Sequence, residues 1–202
     1  MVADTRHLIA ITPEHPVSDE GHKIEALLRA GWYRVHIRHP HASRVEMRGI
    51  IESVPLRYHD RLVLHGHFDL TCDFTLGGLH LNHRCPVPPA LYTGPLSRSC
   101  HSIAELSGNG TMSYVTLSPI LDSISKSGYQ AAFTPEALAM LDRYDTPVIA
   151  LGGVSPEHFA TLNRYRFSGY AMLGAIPWES TCDEVYDFAS RCIAAIASQD
   201  NQ

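Results

Sequence analysis

The sequence predicts a single α/β domain of eight strand–helix units in series, arranged as a closed (β/α)8 barrel or as a doubly wound sheet. Short aliphatic and β-branched runs recur along the whole chain, bounded by Gly, Pro, Asp or Ser. Segments with apolar residues at helical spacing lie between these runs. No repeat, low-complexity tract or linker divides the 202 residues, so residues 1–202 are expected to form one domain.

Eight runs have the composition of buried parallel strands, which are apolar on both faces because helices cover the sheet. In chain order they are Leu8–Ile11, Tyr33–Arg38, Leu62–His65, Gly78–Leu81, Leu96–Cys100, Tyr114–Ser118, Pro147–Leu151 and Gly169–Leu173.

Helix signals lie between these strands. Ile24, Leu27 and Leu28 have helical spacing in the first connection. Two later connections, Thr134-Pro-Glu and Ser155-Pro-Glu, place a hydroxyl before a first-turn proline and an acid, which is typical of a helix start. The connection between the fourth and fifth strands is rich in proline, so we expect its helix to be degenerate.

Composition excludes several classes of protein. The formal net charge is −5 and no basic cluster stands out, which argues against a nucleic-acid partner. The first twelve residues do not resemble a secretory leader, and no apolar run reaches the length of a membrane span. The five cysteines form no Cys-x-x-Cys pair, as expected for reduced thiols. We therefore expect a cytoplasmic protein that binds neither nucleic acid nor membrane; the sequence allows a homodimer.

Two glycine turns follow the last two strands. Gly152 and Gly153 end the run Pro147-Val-Ile-Ala-Leu-Gly-Gly, and Leu173-Gly174 ends the run Tyr170-Ala-Met-Leu-Gly. Glycine lets the backbone approach a ligand closely, and paired turns after the last two strands of a barrel are the usual phosphate site. These turns predict a small phosphorylated substrate. The alternative is that the glycines only relieve crowding.

Two further segments carry polar groups near strand ends. Ser123, Ser125 and Lys126 follow the sixth strand and suit a second anionic group or a mobile lid, or are an ordinary polar loop. On the second strand, His36 and Arg38 share one face. A ligand explains this pair better than a core does, because an unpaired buried arginine is costly; the alternative is a solvated outer face.

An ordered set of segments resembles the thiamine phosphate synthase/TenI superfamily. In chain order they are Leu-Ile-Ala-Ile-Thr-Pro, Val-His-Ile-Arg, Leu-Val-Leu-His-Gly-His-Phe-Asp-Leu, Gly-Gly-Leu-His-Leu, Ser-Cys-His-Ser-Ile-Ala-Glu-Leu, Leu-Ser-Pro-Ile and Val-Ile-Ala-Leu-Gly-Gly-Val. The resemblance extends from Leu8 to about Ile176 and implies a single (β/α)8 TIM barrel that acts in thiamine biosynthesis.

The resemblance also implies roles for individual residues. Thiamine phosphate synthases join a hydroxymethylpyrimidine diphosphate to a thiazole phosphate and expel magnesium-bound pyrophosphate. The thiazole phosphate would lie on the amides of Gly152-Gly153 and Leu173-Gly174. The matching positions for the remaining substrate contacts are Arg38, Ser99, Ser123, Ser125 and Lys126, with His36 and His65 lining the pocket. Arg38 and Lys126 would assist catalysis.

The metal-binding part of the family pattern is altered. His65-Gly66-His67 stands where synthases carry Asn-Asp-Arg, and the acid expected after the fourth strand falls near Cys85. Neither glycine nor cysteine supplies the oxygen ligands that magnesium needs. No metal site and no cofactor are therefore expected; magnesium would be required only by a true synthase.

TenI-type relatives keep the barrel and the thiazole phosphate pocket but catalyse a metal-free tautomerisation. His101 matches the histidine that these tautomerases use as acid and base, and an imidazole suits that role because its pKa lies near neutrality. Synthases also often carry this histidine, and it could simply make a structural hydrogen bond. The sequence favours a TenI-like thiazole tautomerase; the alternatives are a thiamine phosphate synthase with a diverged metal site and a non-catalytic binder of thiazole or thiamine phosphate.

Histidines at the predicted mouth leave one more alternative open. His36, His65, His67 and His80, joined by His83 and Cys85, would suit zinc or another borderline metal if they converged. The spacing is common by chance, and simple polarity of the pocket is the interpretation that the sequence favours.

Overall fold

Eight parallel strands close into a barrel in which each strand pairs with its neighbours in chain order. The computed structural model describes residues 6–121 and 133–199. Closure comes from pairing of the first strand with the last, with Leu8 opposite Tyr170. The expected (β/α)8 barrel is confirmed, and the doubly wound sheet is excluded.

The strands are short, and five α-helices accompany them in the described residues. The strands are β1 (His7–Ile11), β2 (Arg34–Ile37), β3 (Leu62–Leu64), β4 (Gly78–Leu81), β5 (Leu96–Cys100), β6 (Tyr114–Leu117), β7 (Val148–Ala150) and β8 (Gly169–Met172). The helices are α1 (Glu20–Arg29), α2 (Arg44–Ser53), α3 (Pro135–Ala139), α4 (Phe159–Leu162) and α5 (Cys182–Gln199). None of these helices has the length and hydropathy that a bilayer span requires.

The helical layer is uneven around the barrel. Helices α1, α2 and α5 have ten or more residues each, whereas β3 and β5 are followed by the short 3-10 segments Phe68–Cys72 and Ala104–Leu106. The connection from β4 to β5 contains no helix, which confirms the expectation drawn from its prolines. The long connections after β4 and β5 therefore contribute loops rather than helices to the molecule.

The predicted helix starts differ in outcome. Thr134 caps α3, since its side chain accepts a hydrogen bond from the amide of Ala137. Ser155 does not cap a helix as expected; its hydroxyl lies 2.9 Å from Nδ1 of His158, and a 3-10 turn precedes α4. Because the Ser155 hydroxyl is bonded to His158, it accepts no hydrogen bond from the backbone amides of the turn.

The two faces of the barrel have different cores. Outward-facing residues such as Val35 and Ile37 pack beneath the helices, as the alternation of β2 predicts. The inner face forms a separate apolar cluster of Ile9, Ile11, Tyr114, Ile149 and Ala171. Buried polar side chains on β2, β4 and β5 fill the other side of the interior: His36, His80 and Ser97. The interior is thus apolar on one side and rich in imidazole on the other.

Candidate active site at the carboxyl ends of the strands

Three imidazoles meet inside the barrel, and we call them the histidine cluster: His36 on β2, His65 directly after β3, and His80 on β4. Nδ1 of His36 lies 2.8 Å from Nε2 of His65, and the rings of His65 and His80 stack with centroids 4.2 Å apart. One nitrogen from each of the three lies within 4.8 Å of the others. The cluster forms because these residues occupy inward positions on adjacent strands.

Hydroxyl groups hold two of the rings. The Tyr114 hydroxyl lies 2.6 Å from Nε2 of His36. Ser97 and Ser99, two residues apart on β5, lie 2.9 Å from Nδ1 and Nε2 of His80 respectively. Ser99, expected to contact substrate, therefore contacts a histidine of the cluster.

Burial keeps the histidine cluster neutral. It lowers the pKa of His80 to about 3 and, with the charge of neighbouring imidazoles, lowers the pKa of His36 and of His65 well below the usual value. The buried phenol of Tyr114 has its pKa raised to about 12, again by desolvation. At neutral pH each imidazole of the cluster therefore retains one nitrogen lone pair.

A cavity of about 240 Å³ lies beside the cluster at the ends of β2, β3 and β4. Its lining includes Arg38, His65, Gly66, Arg84 and Cys85. The guanidinium of Arg38 is half-buried and makes no hydrogen bond or ion pair with the described residues; burial and the nearby charge of Arg84 lower its pKa. A half-buried guanidinium that has no partner among the described residues and faces a cavity favours an anionic ligand.

Buried polar contacts fix the backbone next to Arg38. Nε2 of His39 lies 2.7 Å from Oε1 of Glu20 and 3.3 Å from the hydroxyl of Thr12. That hydroxyl accepts a hydrogen bond of 2.8 Å from the amide of Arg38. These contacts join the ends of β1 and β2 and hold Arg38 at the cavity.

His101 lies exposed after β5 and has one anchored nitrogen. Nδ1 lies 3.1 Å from the carbonyl oxygen of Ser118. Nδ1 also lies 3.2 Å from the hydroxyl oxygen of Ser118. A hydrogen bond to the carbonyl, which can only accept, assigns the proton of the neutral ring to Nδ1 and leaves Nε2 with its lone pair. Nε2 has no partner among residues 6–121 and 133–199. The amide of His101 donates to Oε2 of Glu105 at 2.9 Å, and this bond lowers the pKa of that carboxyl.

The glycine turns follow β7 and β8 as expected. Gly152 and Gly153 have φ of 93° and 68°. A Cβ on Gly152 would lie 2.8 Å from Cα of Pro119, so crowding by itself requires this glycine. The amides of Gly152, Gly153 and Gly174 donate no backbone hydrogen bond within the described part of the chain. Such amides are the kind of donor that an anion requires.

The sequence-predicted residues are only partly brought together. His36 and His65 meet, and Ser99 adjoins them through His80; Arg38 lines the adjacent cavity. Leu173 directly follows β8. The predicted loop residues Ser123, Ser125 and Lys126 lie outside the described residues.

Sequence reasoning missed several groups of the site. Ser97 and Tyr114 share inward positions with Ser99 and Thr116, so strand alternation on β5 and β6 could have found them. Arg84 lies in an irregular loop, where no periodicity indicates which side chains face the cavity.

Most of the chain matches one known protein family. The family model described as thiamine monophosphate synthase matches residues 8–176. The chain belongs to the thiamine monophosphate synthase family. A search of curated proteins finds no match.

Solved structures agree with membership of the thiamine monophosphate synthase family. A thiamine phosphate pyrophosphorylase from Bacteroides thetaiotaomicron is 28% identical, with a TM-score of 0.81 over 95% of this chain and 98% of that one. A thiamine phosphate pyrophosphorylase from Pyrococcus furiosus is 14% identical, with a TM-score of 0.75 over 98% of each chain, and supports the fold alone. The same holds for (S)-3-O-geranylgeranylglyceryl phosphate synthase from Thermoplasma acidophilum, at 12% identity and a TM-score of 0.69 over 96% and 94% of the two chains.

The donor set of this mouth does not fit the magnesium ion that synthases of the family use. The metal-ligating group found among the described residues consists of imidazoles alone. Glu20 is buried against His39, and Asp69 is exposed and paired with Arg44. Magnesium requires oxygen ligands, and the cavity offers Gly66 and Cys85 where the family pattern has carboxylates.

Proposed function

We propose that this chain is a TenI-like thiazole tautomerase: it binds a thiazole carboxylate phosphate and relocates one proton on it without a metal ion. The observation that carries the proposal is His101, whose Nδ1–H donates to the Ser118 carbonyl while Nε2 keeps its lone pair in an exposed position at the mouth. An imidazole in this state is a competent general base.

The chemistry needs only proton transfer. Nε2 of His101 accepts a proton from one carbon of the ligand, the electron pair moves into the ring system, and the imidazolium returns a proton at a second carbon. The composition of the ligand does not change, and aromatisation of the ring supplies the driving force. The Ser118 carbonyl and the Glu105 carboxylate, which binds the His101 amide, hold the catalytic side chain in place.

Two anionic groups on the ligand match two cationic or donor-rich places at the mouth. The free amides of Gly153 and Gly174 suit the phosphate, as in other barrels. The uncommitted guanidinium of Arg38 suits the carboxylate. Lys126, Ser123 and Ser125 are proposed to contact the same ligand.

A thiamine phosphate synthase is the second candidate, favoured by the 28% identity to a protein named thiamine phosphate pyrophosphorylase. That reaction expels pyrophosphate, whose charge a metal ion normally offsets. The imidazole donor set of the described mouth opposes this candidate. A non-catalytic thiazole phosphate binder is the third.

The test is a tautomerase assay on chelator-treated protein. We expect turnover by the unaltered chain and a loss of about 10²–10⁴ in kcat for His101→Asn, with KM changed only a few-fold, because general acid–base catalysis contributes about that much. His22→Asn, an exposed histidine on α1, is the matched control and should retain full activity. Equal rates for wild type and His101→Asn, or no turnover by either, would contradict the proposal.

A further inference from the structure

The histidine cluster has the chemistry of a transition-metal site. We propose that His36, His65 and His80 bind one divalent zinc ion inside the barrel. This inference is independent of the proposed tautomerase, in which none of the three imidazoles moves a proton.

Three nitrogens already lie close to the required arrangement. One nitrogen of each residue lies within 4.8 Å of the others, and Nδ1 of His36 is 2.8 Å from Nε2 of His65. In a tetrahedral site with Zn–N bonds of about 2.05 Å, ligand nitrogens lie about 3.3 Å apart. The closest pair must therefore open by about 0.5 Å, and no pair of the three nitrogens exceeds the tetrahedral spacing by more than about 1.5 Å.

The second nitrogen of two ligands is already held as it is in natural zinc sites. Metal-bound histidines almost always donate their other N–H to a neighbouring oxygen, which fixes the tautomer. Nε2 of His36 is 2.6 Å from the Tyr114 hydroxyl. Nδ1 of His80 is 2.9 Å from Oγ of Ser97, which in turn reaches the Leu79 carbonyl at 3.4 Å.

Ser97 determines which nitrogen of His80 is free. A hydrogen bond from the Ser97 hydroxyl to the Leu79 carbonyl leaves its oxygen to accept from Nδ1–H of His80, and in that tautomer Nε2 of His80 keeps the lone pair that a metal ion requires. Oγ of Ser99 lies 2.9 Å from Nε2 of His80, on the side that an ion would occupy. Ser99 is half-buried at the strand end, so its hydroxyl can rotate aside.

The ligand set selects zinc over magnesium or calcium. Imidazole nitrogen suits zinc and other borderline ions, whereas the hard ions need oxygen. Three histidines plus one open position is the arrangement of catalytic rather than structural zinc sites. His65 also lines the cavity that holds Arg38 and Arg84, so the fourth position is expected to take water or an anion from that side.

Binding is tested with the ion alone, on tag-free protein stripped with a chelator. Zinc titration against a chromophoric competitor is expected to show one tight site per chain. Cobalt substituted for zinc is expected to give the intense visible absorption of a four-coordinate site. No zinc uptake by the folded chain, or the weak absorption of octahedral cobalt, would overturn the proposal.

Variants assign the site to the cluster. His65→Asn is expected to weaken zinc affinity by more than about 100-fold, and Tyr114→Phe by about 10–100-fold with one ion still bound, as for loss of an outer partner. His22→Asn, on the exposed face of α1, should bind as wild type does. Zinc affinity unchanged in His65→Asn would overturn the assignment. His65 is preferred to the fully buried His36 and His80 because its replacement is less damaging to folding, and circular dichroism checks that each variant is folded.

Discussion

The two most deeply buried histidines of the cluster, His36 and His80, make stability depend on pH. Both are at most 1% exposed, and burial holds the folded pKa of each well below the unfolded value of about 6.5. As pH falls below about 6.5, the unfolded chain gains protons that the folded chain does not, so the free energy of unfolding decreases. The stability is fully present above this pH and is lost progressively toward the folded pKa values.

The expected loss can be measured by denaturant unfolding of metal-free protein. Between about pH 7.5 and pH 5.5 each of the two histidines should lower the free energy of unfolding by roughly 1 kcal/mol, or about 2–3 kcal/mol together. His80→Gln should remove about half of that pH dependence, while His22→Asn should leave it unchanged. Identical pH dependence in His80→Gln and wild type would show that His80 is not held neutral.

Prediction from sequence was most successful for the positions of the glycine turns. The glycines after β7 and β8 were placed correctly because turn chemistry is local. The contacts of His36 with His65 and Tyr114 were not predictable, because they join strands far apart in the chain. His67 shows the limit of spacing arguments: its Nε2 lies 2.8 Å from the Ala42 carbonyl, outside the cluster.

At the scale of elements, two glycines test opposite effects of a methyl group. Gly152 has φ of 93° and its added Cβ would lie 2.8 Å from Cα of Pro119, so Gly152→Ala is expected to cost more than about 1 kcal/mol of stability. Gly49 lies within α2 with no atom within 4 Å of an added Cβ, so Gly49→Ala should gain about 0.5–1 kcal/mol. Denaturant unfolding of both variants measures the difference; equal effects would contradict the assigned backbone strain.

Strands were predicted more accurately than helices. Every predicted strand overlaps an observed one, because most of these runs are aliphatic and buried on both faces; β5, Leu-Ser-Arg-Ser-Cys, is the most polar of them. The predicted second and third strands extend one residue beyond the observed ones. Strand β2 ends at Ile37 and β3 at Leu64, so Arg38 and His65 lie just past the strands. Those positions place both side chains at the mouth. The 3-10 segments after β3 and β5 lack a helical repeat long enough to be recognised.

For the whole molecule, closure of the sheet was beyond the sequence pattern alone. A barrel and an open doubly wound sheet use the same strand and helix units, and the sequential strand order together with the pairing of β1 with β8 distinguishes the barrel. The family resemblance resolved this question in advance because it carries the topology of known relatives.

The mouth combines two glycine turns with a cluster of imidazoles. The glycine amides after β7 and β8 donate no backbone hydrogen bond to the described residues, whereas the ends of β2 to β4 hold imidazoles and a guanidinium. The histidine cluster offers a magnesium ion no oxygen ligands, which opposes magnesium-dependent expulsion of pyrophosphate. The proton transfer proposed for His101 needs no metal ion.

Formation of thiamine phosphate tests the loss of magnesium-dependent condensation most directly. The purified chain is incubated with hydroxymethylpyrimidine diphosphate and thiazole phosphate, with and without magnesium, and the product is quantified. We expect no thiamine phosphate above background in either condition. Magnesium-dependent formation of thiamine phosphate at a catalytic rate would contradict the proposed tautomerase and identify the chain as a synthase.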